Sequence, residues 1–294
     1  MNKKLSSKDS KYFSLLKPDI KKQKPFIISS PHAGNIFLSG ADTYNIPNPE
    51  EYLYMQDMYV NDLILDLDSH GITILQNYVS RLVIDLNRSE QEIDTNFILN
   101  IPHNYQVSIT PKVKAGLGLI PFKNSSGKNI YNKKLSWTEV CFRLEKFYNP
   151  WHMALNKQIK ELLKIFGFVF VIDFHSMPSE DAFGNKVSDF VIGNNFDDSS
   201  SKFSRECLGK IIQSKGYSCS YNKPYAGGYI TKNYANVEKN IECIQIEINK
   251  SLYMDQDIYK KNRNYEKLYK DIKEIMIEFI NIIYVKNNHK IAAE

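Results

Sequence analysis

Short apolar segments alternate with helix-length segments along most of this chain, and this alternation restricts the fold more than any other feature. The segments typical of strands are PFIISS (25–30), ITILQNYV (72–79), FVFVI (168–172) and IECIQIEIN (241–249). Helical patterns cover residues 49–70, the stretch from Ser136 toward Gly167, and residues 199–216 and 257–286. Strands separated by helices predict an α/β fold, with a mostly parallel or mixed central sheet and helices on both faces.

Length and local composition predict the domain organisation. With 294 residues the chain is long enough for one large α/β domain. We expect a polar N-terminal arm at residues 1–24 and a single catalytic domain at 25–294. Within that domain, residues 90–135 contain three prolines and little periodicity, which predicts a loop-rich insertion. Long loops in compact domains are often functional.

Composition and charge argue against several classes of protein. The net charge of +5 comes from scattered lysines, whereas nucleic-acid binding requires basic residues clustered on one face. The four cysteines contain no C-x-x-C pair, which argues against a zinc knuckle and suits a reducing compartment. No stretch approaches the roughly 18 apolar residues of a membrane-spanning helix. We therefore expect a cytoplasmic protein with neither membrane nor nucleic-acid partners, and the oligomeric state stays open.

Two of the predicted strands are followed by histidines, His32 and His175. Ligands of parallel sheets bind beyond the carboxyl ends of the strands. Either histidine alone could be a packing residue, but two at equivalent strand ends favour a shared site. A catalytic zinc ion takes about three protein ligands and keeps one position open, so one carboxylate is missing. The acids considered for it are Asp57, Asp62, Asp85 and Asp173.

The strand IQIEINK has isoleucines on one face and polar residues on the other. Two interpretations stay open for Glu247 on the polar face. It either faces water on an edge strand or points into the site as a general base.

Two further segments carry residues suited to ligand binding. SRLVIDLNR contains Arg81 and Arg88, whose planar guanidinium groups match an anionic substrate, although surface salt bridges would explain them too. The glycines of PYAGGYI (224–230) allow close approach to a ligand or form a simple tight turn. Ser176 is not predicted to be a nucleophile, because it adjoins His175 on a strand and no G-x-S-x-G motif is present.

Seven motifs occur in order between about residues 26 and 256, and together they resemble the N-formylglutamate amidohydrolase family. These motifs are SSPHAGN, DMYVNDL, SRLVIDLNR, GLGLIP, IDFHSMPS, PYAGGYI and IQIEINKSLYMD. The resemblance implies a zinc-carboxypeptidase-like α/β fold, related to the aspartoacylases. It also implies metal-dependent hydrolysis of an N-acyl amino acid, which in the family releases formate and glutamate in histidine breakdown.

The resemblance also implies roles for individual residues. His32 and His175 match the metal-binding histidines, and Glu247 matches the catalytic glutamate. The wider group has H-x-x-E for its first ligands, but Asn35 stands at the acidic position here, so Asp57 of DMYV is expected as the third ligand. The remaining matches concern the substrate: Arg81 polarises the scissile carbonyl, Asn87 and Arg88 hold a carboxylate, and Tyr225, Gly227 and Gly228 help to position it.

These assignments imply one divalent metal ion, expected to be Zn²⁺, and a small anionic N-acyl amino acid as substrate. Two alternatives remain. The same chemistry could act on another N-acyl amino acid or on formamide, or the chain could be a non-catalytic module that binds anions or nucleic acid.

Overall fold

The structure, a computed structural model, describes residues 11–37, 46, 48–124, 126–181 and 183–293. Its strands are β1 (Phe13–Leu16), β2 (Phe26–Ser30), β3 (Thr73–Asn77), β4 (Ile98–Leu99), β5 (Leu135–Ser136), β6 (Val169–Met177), β7 (Phe190–Gly193), β8 (Cys219–Tyr221), β9 (Ile241–Asn249), β10 (Met254–Asp255) and β11 (Lys260–Lys261). Its α-helices are α1 (Val60–Leu63), α2 (Pro111–Lys114), α3 (Trp137–Arg143), α4 (Asn149–Phe166), α5 (Lys202–Ser214), α6 (Tyr229–Tyr234) and α7 (Tyr265–Ala293).

Seven strands form the central sheet, in the order β1-β3-β2-β6-β9-β7-β8. Strands β2, β6 and β9 are parallel, β7 runs antiparallel to β9, and β8 is parallel to β7. The sheet is therefore mixed, and the predicted α/β fold class is confirmed.

The chain divides into two compact units. The first comprises Met1–Ser14, Pro31–Gln56 and Gln76–Ala154, and it contains the short strands β4 and β5 with helices α2 and α3. The second comprises Leu15–Ser30, Asp57–Leu75 and Leu155–Glu294. It contains most of the central sheet, helix α1 and helices α5 to α7. The first two residues of β1 and the last two of β3 belong to the first unit.

Strand β6 extends further than its apolar residues predict. It was expected to end at Ile172, but it continues through Asp173 and His175 and is buried along its whole length. Because side chains alternate on a strand, Asp173 and His175 share one face while Phe170 lies on the other. Phe170 packs edge-to-face on Phe279 of α7, with ring centroids 5.4 Å apart. The polar residues stay within the strand because Asp173 finds a partner on the neighbouring strand, the Ser29 hydroxyl.

The predicted helix over residues 49–70 is wrong as a single element. The segment forms a 3-10 helix at Pro49–Met55, the short helix α1, and a second 3-10 helix at Leu65–His70. Tyr59, just before α1, has a positive φ of 65°, which is incompatible with a continuous right-handed helix. Gly71 ends the segment with φ 93°, as its position predicted.

The predicted start of the next helix is confirmed, since the Ser136 hydroxyl accepts a hydrogen bond from the Glu139 amide at 3.2 Å. A turn of π-helix at Leu144–Tyr148 separates α3 from α4. Such turns are rare and frequently occur at functional sites.

The arm and the insertion are observed in part. Residues 1–10 lie outside the described residues, while Phe13–Leu16 of the predicted arm forms β1 at the edge of the sheet. Between residues 90 and 134, the described part of the chain contains β4 and α2 as its only regular elements. The domain boundaries at 1–24, 25–294 and 90–135 stay predictions.

No helix among the described residues is long and apolar enough to cross a membrane.

Candidate active site

His175 lies on β6 between two buried carboxylates. Its Nδ1 is 3.1 Å from Asp57 Oδ2, and its Nε2 is 2.7 Å from Asp173 Oδ2. The other oxygen of Asp173 accepts a hydrogen bond from Ser29 at 2.7 Å. Burial lowers the pKa of His175, but Asp173 and the other two nearby carboxylates outweigh it and raise that pKa well above its ordinary value. Three carboxylates around one imidazole form a strongly cation-attracting environment.

His32 follows β2 and is held by a different aspartate. Its Nε2 is 2.6 Å from Asp85 Oδ1, and both side chains are almost fully buried. Asp85 also accepts from the backbone N–H of Asn87 at 2.9 Å and from Arg81 Nη2 at 2.7 Å. Burial raises the pKa of Asp85, but its hydrogen bond and electrostatic interaction with His32 and the charges of Arg81 and Arg88 outweigh burial and hold that pKa well below its ordinary value. Asp85 is therefore an ionised carboxylate that orients His32.

One ligand atom from each of His32, Asp57 and His175 lies within 4.8 Å of the other two, and all three residues are buried. In both histidines Nε2 contacts a buried aspartate, which leaves Nδ1 as the nitrogen suited to binding an ion. Metal-binding histidines usually engage a carboxylate in this way. Two imidazoles and one carboxylate are also a donor set typical of catalytic zinc. The residues present therefore fit a divalent metal ion.

The other acids that the sequence analysis considered have different partners. Asp62 is half-exposed and pairs with Lys261 at 2.9 Å. Asp85 and Asp173 each hold one of the histidines. Asp57 is the acid that lies with both histidines.

Glu247 lies on β9, next to β6 in the sheet. It is the register partner of His175, and only 7% of it is exposed. Its Oε1 accepts a hydrogen bond from Gln245 Nε2 at 2.8 Å. The interpretation of β9 as an edge strand with one wet face is wrong, since β9 lies between β6 and β7. A buried carboxylate directly beside His175, a residue of the candidate metal cluster, suits proton transfer.

Arg81 and Arg88 flank the same segment, residues 80–88. Arg81 pairs with the buried Asp85 and is itself only 22% exposed, so the surface salt-bridge interpretation does not hold for it. Arg88 donates from Nε to the Leu117 carbonyl at 3.0 Å and from Nη1 to the Asn87 carbonyl at 2.9 Å. These two bonds fix the plane of a half-buried guanidinium group.

Side chains from the neighbouring part of the same unit hold the backbone of residues 80–88. Tyr131 donates to the Leu82 carbonyl at 2.6 Å, and Arg143 donates to the Val83 carbonyl at 2.7 Å. Further along, Tyr148 donates to the Arg88 carbonyl at 2.8 Å, and His152 forms a hydrogen bond with the backbone of Leu86. Tyr148 ends the π-helical turn. Side-chain hydrogen bonds to several of its backbone carbonyls thus fix the segment that contains Arg81 and Arg88.

Comparison with known proteins shows the family to which the chain belongs. The family model described as N-formylglutamate amidohydrolase matches residues 24–254. The chain belongs to the N-formylglutamate amidohydrolase family. A Pseudomonas putida protein named N-formylglutamate deformylase is 29% identical over 237 residues, covering 79% of this chain and 82% of that protein. A Pseudomonas aeruginosa protein of the same name is 25% identical over 237 residues, covering 79% of this chain and 83% of that protein.

A solved structure that is similar to this chain supports the family assignment. The crystal structure of N-formylglutamate amidohydrolase from Ralstonia eutropha covers 92% of this chain and 98% of its own, with 25% identity and a TM-score of 0.85.

The PYAGGYI loop, which this N-formylglutamate amidohydrolase family member carries at residues 224–230, packs against the end of β7. The backbone N–H of Asn195 donates to the Ala226 carbonyl at 2.7 Å. Gly227 has φ 129°, and a Cβ there would lie 2.6 Å from Thr231 Oγ1. Gly193 of β7 pairs with Gln245, two residues before Glu247 on β9. Close packing therefore requires Gly227, and the substrate-binding roles of Tyr225, Gly227 and Gly228 stay predictions.

The sequence did not predict the residues whose role in the site is to orient other residues. Asp85 was considered as a ligand and Ser29 was not considered at all. Arg143, Tyr148 and the backbone contact of His152 had no local pattern that would reveal them.

Proposed function

We propose that this chain hydrolyses the formyl C–N bond of N-formyl-L-glutamate, releasing formate and glutamate, with one divalent metal ion. The observation that carries the proposal is the convergence of His32, Asp57 and His175, with Glu247 beside His175 on the adjacent strand. The names of the Pseudomonas and Ralstonia relatives support the substrate. In the cell, we place this reaction in histidine degradation in the cytoplasm.

The metal ion would be held by His32, Asp57 and His175, and zinc is the ion that this donor set favours. When bound, such an ion polarises a carbonyl oxygen and lowers the pKa of water into the neutral range. Asp85 and Asp173 keep the two imidazoles in the orientation that presents Nδ1 to it.

Glu247 moves the proton in this mechanism. Its carboxylate takes a proton from the attacking water and returns it to the nitrogen of glutamate as the C–N bond breaks. The hydrogen bond from Gln245 holds the carboxylate in one orientation for both transfers.

The two arginines have separate roles. Arg81 donates to the oxygen that becomes negatively charged when water adds to the formyl carbon. Arg88 and Asn87 bind a substrate carboxylate, for which the planar guanidinium group is suited. We assign the loop with Tyr225, Gly227 and Gly228 to the same task of positioning the substrate.

A substrate screen tests the proposal. N-formyl, N-acetyl and N-succinyl derivatives of glutamate, glutamine and glycine would be incubated with the zinc-loaded protein, and free amine would be measured. The proposal expects the highest kcat/KM for N-formylglutamate. A clear preference for another acyl group or another amino acid would contradict the substrate, and a chain that hydrolyses none of them would contradict the enzyme.

A further inference from the structure

The GLGLIP segment, residues 116–121 of the predicted insertion, binds the segment that carries Arg88. The Leu117 carbonyl accepts a hydrogen bond from Arg88 Nε at 3.0 Å. Two residues later, the Leu119 carbonyl accepts from the backbone N–H of Asp85 at 2.7 Å. Both segments belong to the first unit. One segment of the insertion thus binds the guanidinium group of Arg88 and the backbone that leads to it.

Glu92 joins the two segments at a further point. Its carbonyl accepts from the backbone N–H of Leu119 at 2.8 Å. Its carboxylate accepts from the backbone N–H of Ser89 at 2.9 Å and from the Thr110 hydroxyl at 2.8 Å. Because Ser89 directly follows Arg88, Glu92 holds the backbone on the far side of this arginine.

Gly118 lies where the two segments approach most closely. A Cβ at this position would be 2.5 Å from the Glu92 carbonyl oxygen and 3.2 Å from Val113 Cγ2. The φ of Gly118 is not positive, so its backbone conformation does not require glycine. The close approach does require it, because a larger residue would displace either the Glu92 carbonyl or the carbonyls of Leu117 and Leu119.

We propose that the GLGLIP segment sets the position of the Arg88 guanidinium group for the substrate carboxylate, with Gly118 and Glu92 as the positioning residues. The inference rests on the proposed function, in which Arg88 binds that carboxylate. A guanidinium group recognises a carboxylate through planar, paired donors, so a small displacement of its plane weakens these bonds. Gly118 and Glu92 act through Arg88.

Gly118→Ala tests the inference, because the added methyl group cannot fit beside the Glu92 carbonyl. We expect KM for N-formylglutamate to rise about 10-fold, the effect of losing one hydrogen bond to a charged group, while kcat changes little. Gly127→Ala is the control in the same insertion. It strains the backbone at φ 81°, but a Cβ there meets no atom of the described residues within 4 Å, so KM should stay that of wild type.

A double-mutant cycle separates this role from a general structural effect. Arg88→Lys has already lost the bond to the Leu117 carbonyl, so adding Gly118→Ala should change its KM by less than about twofold. A structural effect alone would raise KM about 10-fold in both backgrounds. Glu92→Ala removes both carboxylate bonds without a clash, and it should raise KM in wild type but not in Arg88→Lys. It tests the inference even if Gly118→Ala does not fold.

Two contrary results are distinguishable. A wild-type chain that hydrolyses N-formylglutamate, with a KM that the two variants leave unchanged or raise equally in the Arg88→Lys background, would overturn the role of the segment only. A wild-type chain without activity on N-formylglutamate would overturn the proposed function, and this inference with it.

Discussion

His32 and Asp85 are joined through Nε2 and Oδ1 at 2.6 Å, in surroundings that exclude water from both. His175 and Asp173 repeat the arrangement at 2.7 Å on strand β6. In each pair the carboxylate orients the imidazole through Nε2, which leaves Nδ1 for the metal ion of the proposed function.

Replacement of Asp85 tests this relationship. Asp85→Asn removes the charge that holds His32 and also loses the partner of Arg81, so zinc affinity should fall about 10–100-fold. Affinity would be measured by chelator competition. Asp94→Asn is the control, because the Asp94 carboxylate accepts a local bond from the backbone N–H of Asn96 at an exposed position. Equal affinities for the two variants would mean that Asp85 does not support His32.

Arg88→Lys tests the substrate carboxylate. Lysine keeps the charge but lacks the planar donors that Leu117 and Asn87 hold in place. Hydrogen bonds to charged groups contribute about 1.5–3 kcal/mol, so kcat/KM for N-formylglutamate should fall roughly 10–100-fold. The exposed Arg263→Lys should leave kcat/KM unchanged. A normal kcat/KM for Arg88→Lys would remove Arg88 from the site.

Tyr148→Phe tests the support behind Arg88. The variant loses the bond to the Arg88 carbonyl and retains the aromatic packing with His152. A neutral hydrogen bond is worth about 0.5–1.5 kcal/mol, so KM should rise about 2–10-fold while kcat changes little. Tyr105→Phe, which loses a similar bond to the Glu90 carbonyl, is the control. If kcat falls and KM is constant, Tyr148 affects the chemical step instead.

His152 predicts a pH dependence of stability. Burial lowers its pKa to about 4, and the backbone bond to Leu86 only partly compensates. The unfolded chain protonates this histidine below about pH 6.5, whereas the folded chain resists protonation until about pH 4. This contribution to stability is therefore complete above about pH 6.5 and is lost as the pH falls toward 4.

The free energy of unfolding of the metal-free chain provides the measurement. Between about pH 7.5 and about pH 5, wild type should lose about 2 kcal/mol more than His152→Asn. His103→Asn, in an exposed loop, should behave as wild type. Parallel pH profiles for wild type and His152→Asn would show that His152 is not responsible.

The local sequence predicts the secondary-structure elements and the candidate ligands of the site better than it predicts the residues that orient those ligands. The alternation of isoleucines on β9 places Glu247 on the polar face, and the apolar segments that precede His32 and His175 mark both histidines as candidates. The partner of His32 lies 53 positions away at Asp85, and Tyr148 lies 60 positions from Arg88, whose carbonyl it binds. Contacts between residues so far apart in sequence produce no periodicity or spacing from which they could be predicted.

The break in the predicted helix over residues 49–70 has the same origin. Its apolar spacing is that of a helix, but Tyr59 adopts a left-handed conformation that its hydroxyl bond to residue 259 supports. Tertiary contacts here override local propensity. The continuation of β6 past Ile172 is similar, since Asp173 is tolerated in a buried strand only because Ser29 and His175 bind it.

The measurement that tests the central claim most directly is made on Glu247→Gln. Glutamine keeps the size of the side chain and can still accept the bond from Gln245, but it cannot take a proton from water. Turnover of N-formylglutamate should fall roughly 10²–10⁴-fold while the zinc content of the variant stays that of wild type. Glu242→Gln, on the same strand and the opposite face, should retain turnover. A Glu247→Gln protein that holds zinc and turns over at the wild-type rate would contradict the proposed mechanism.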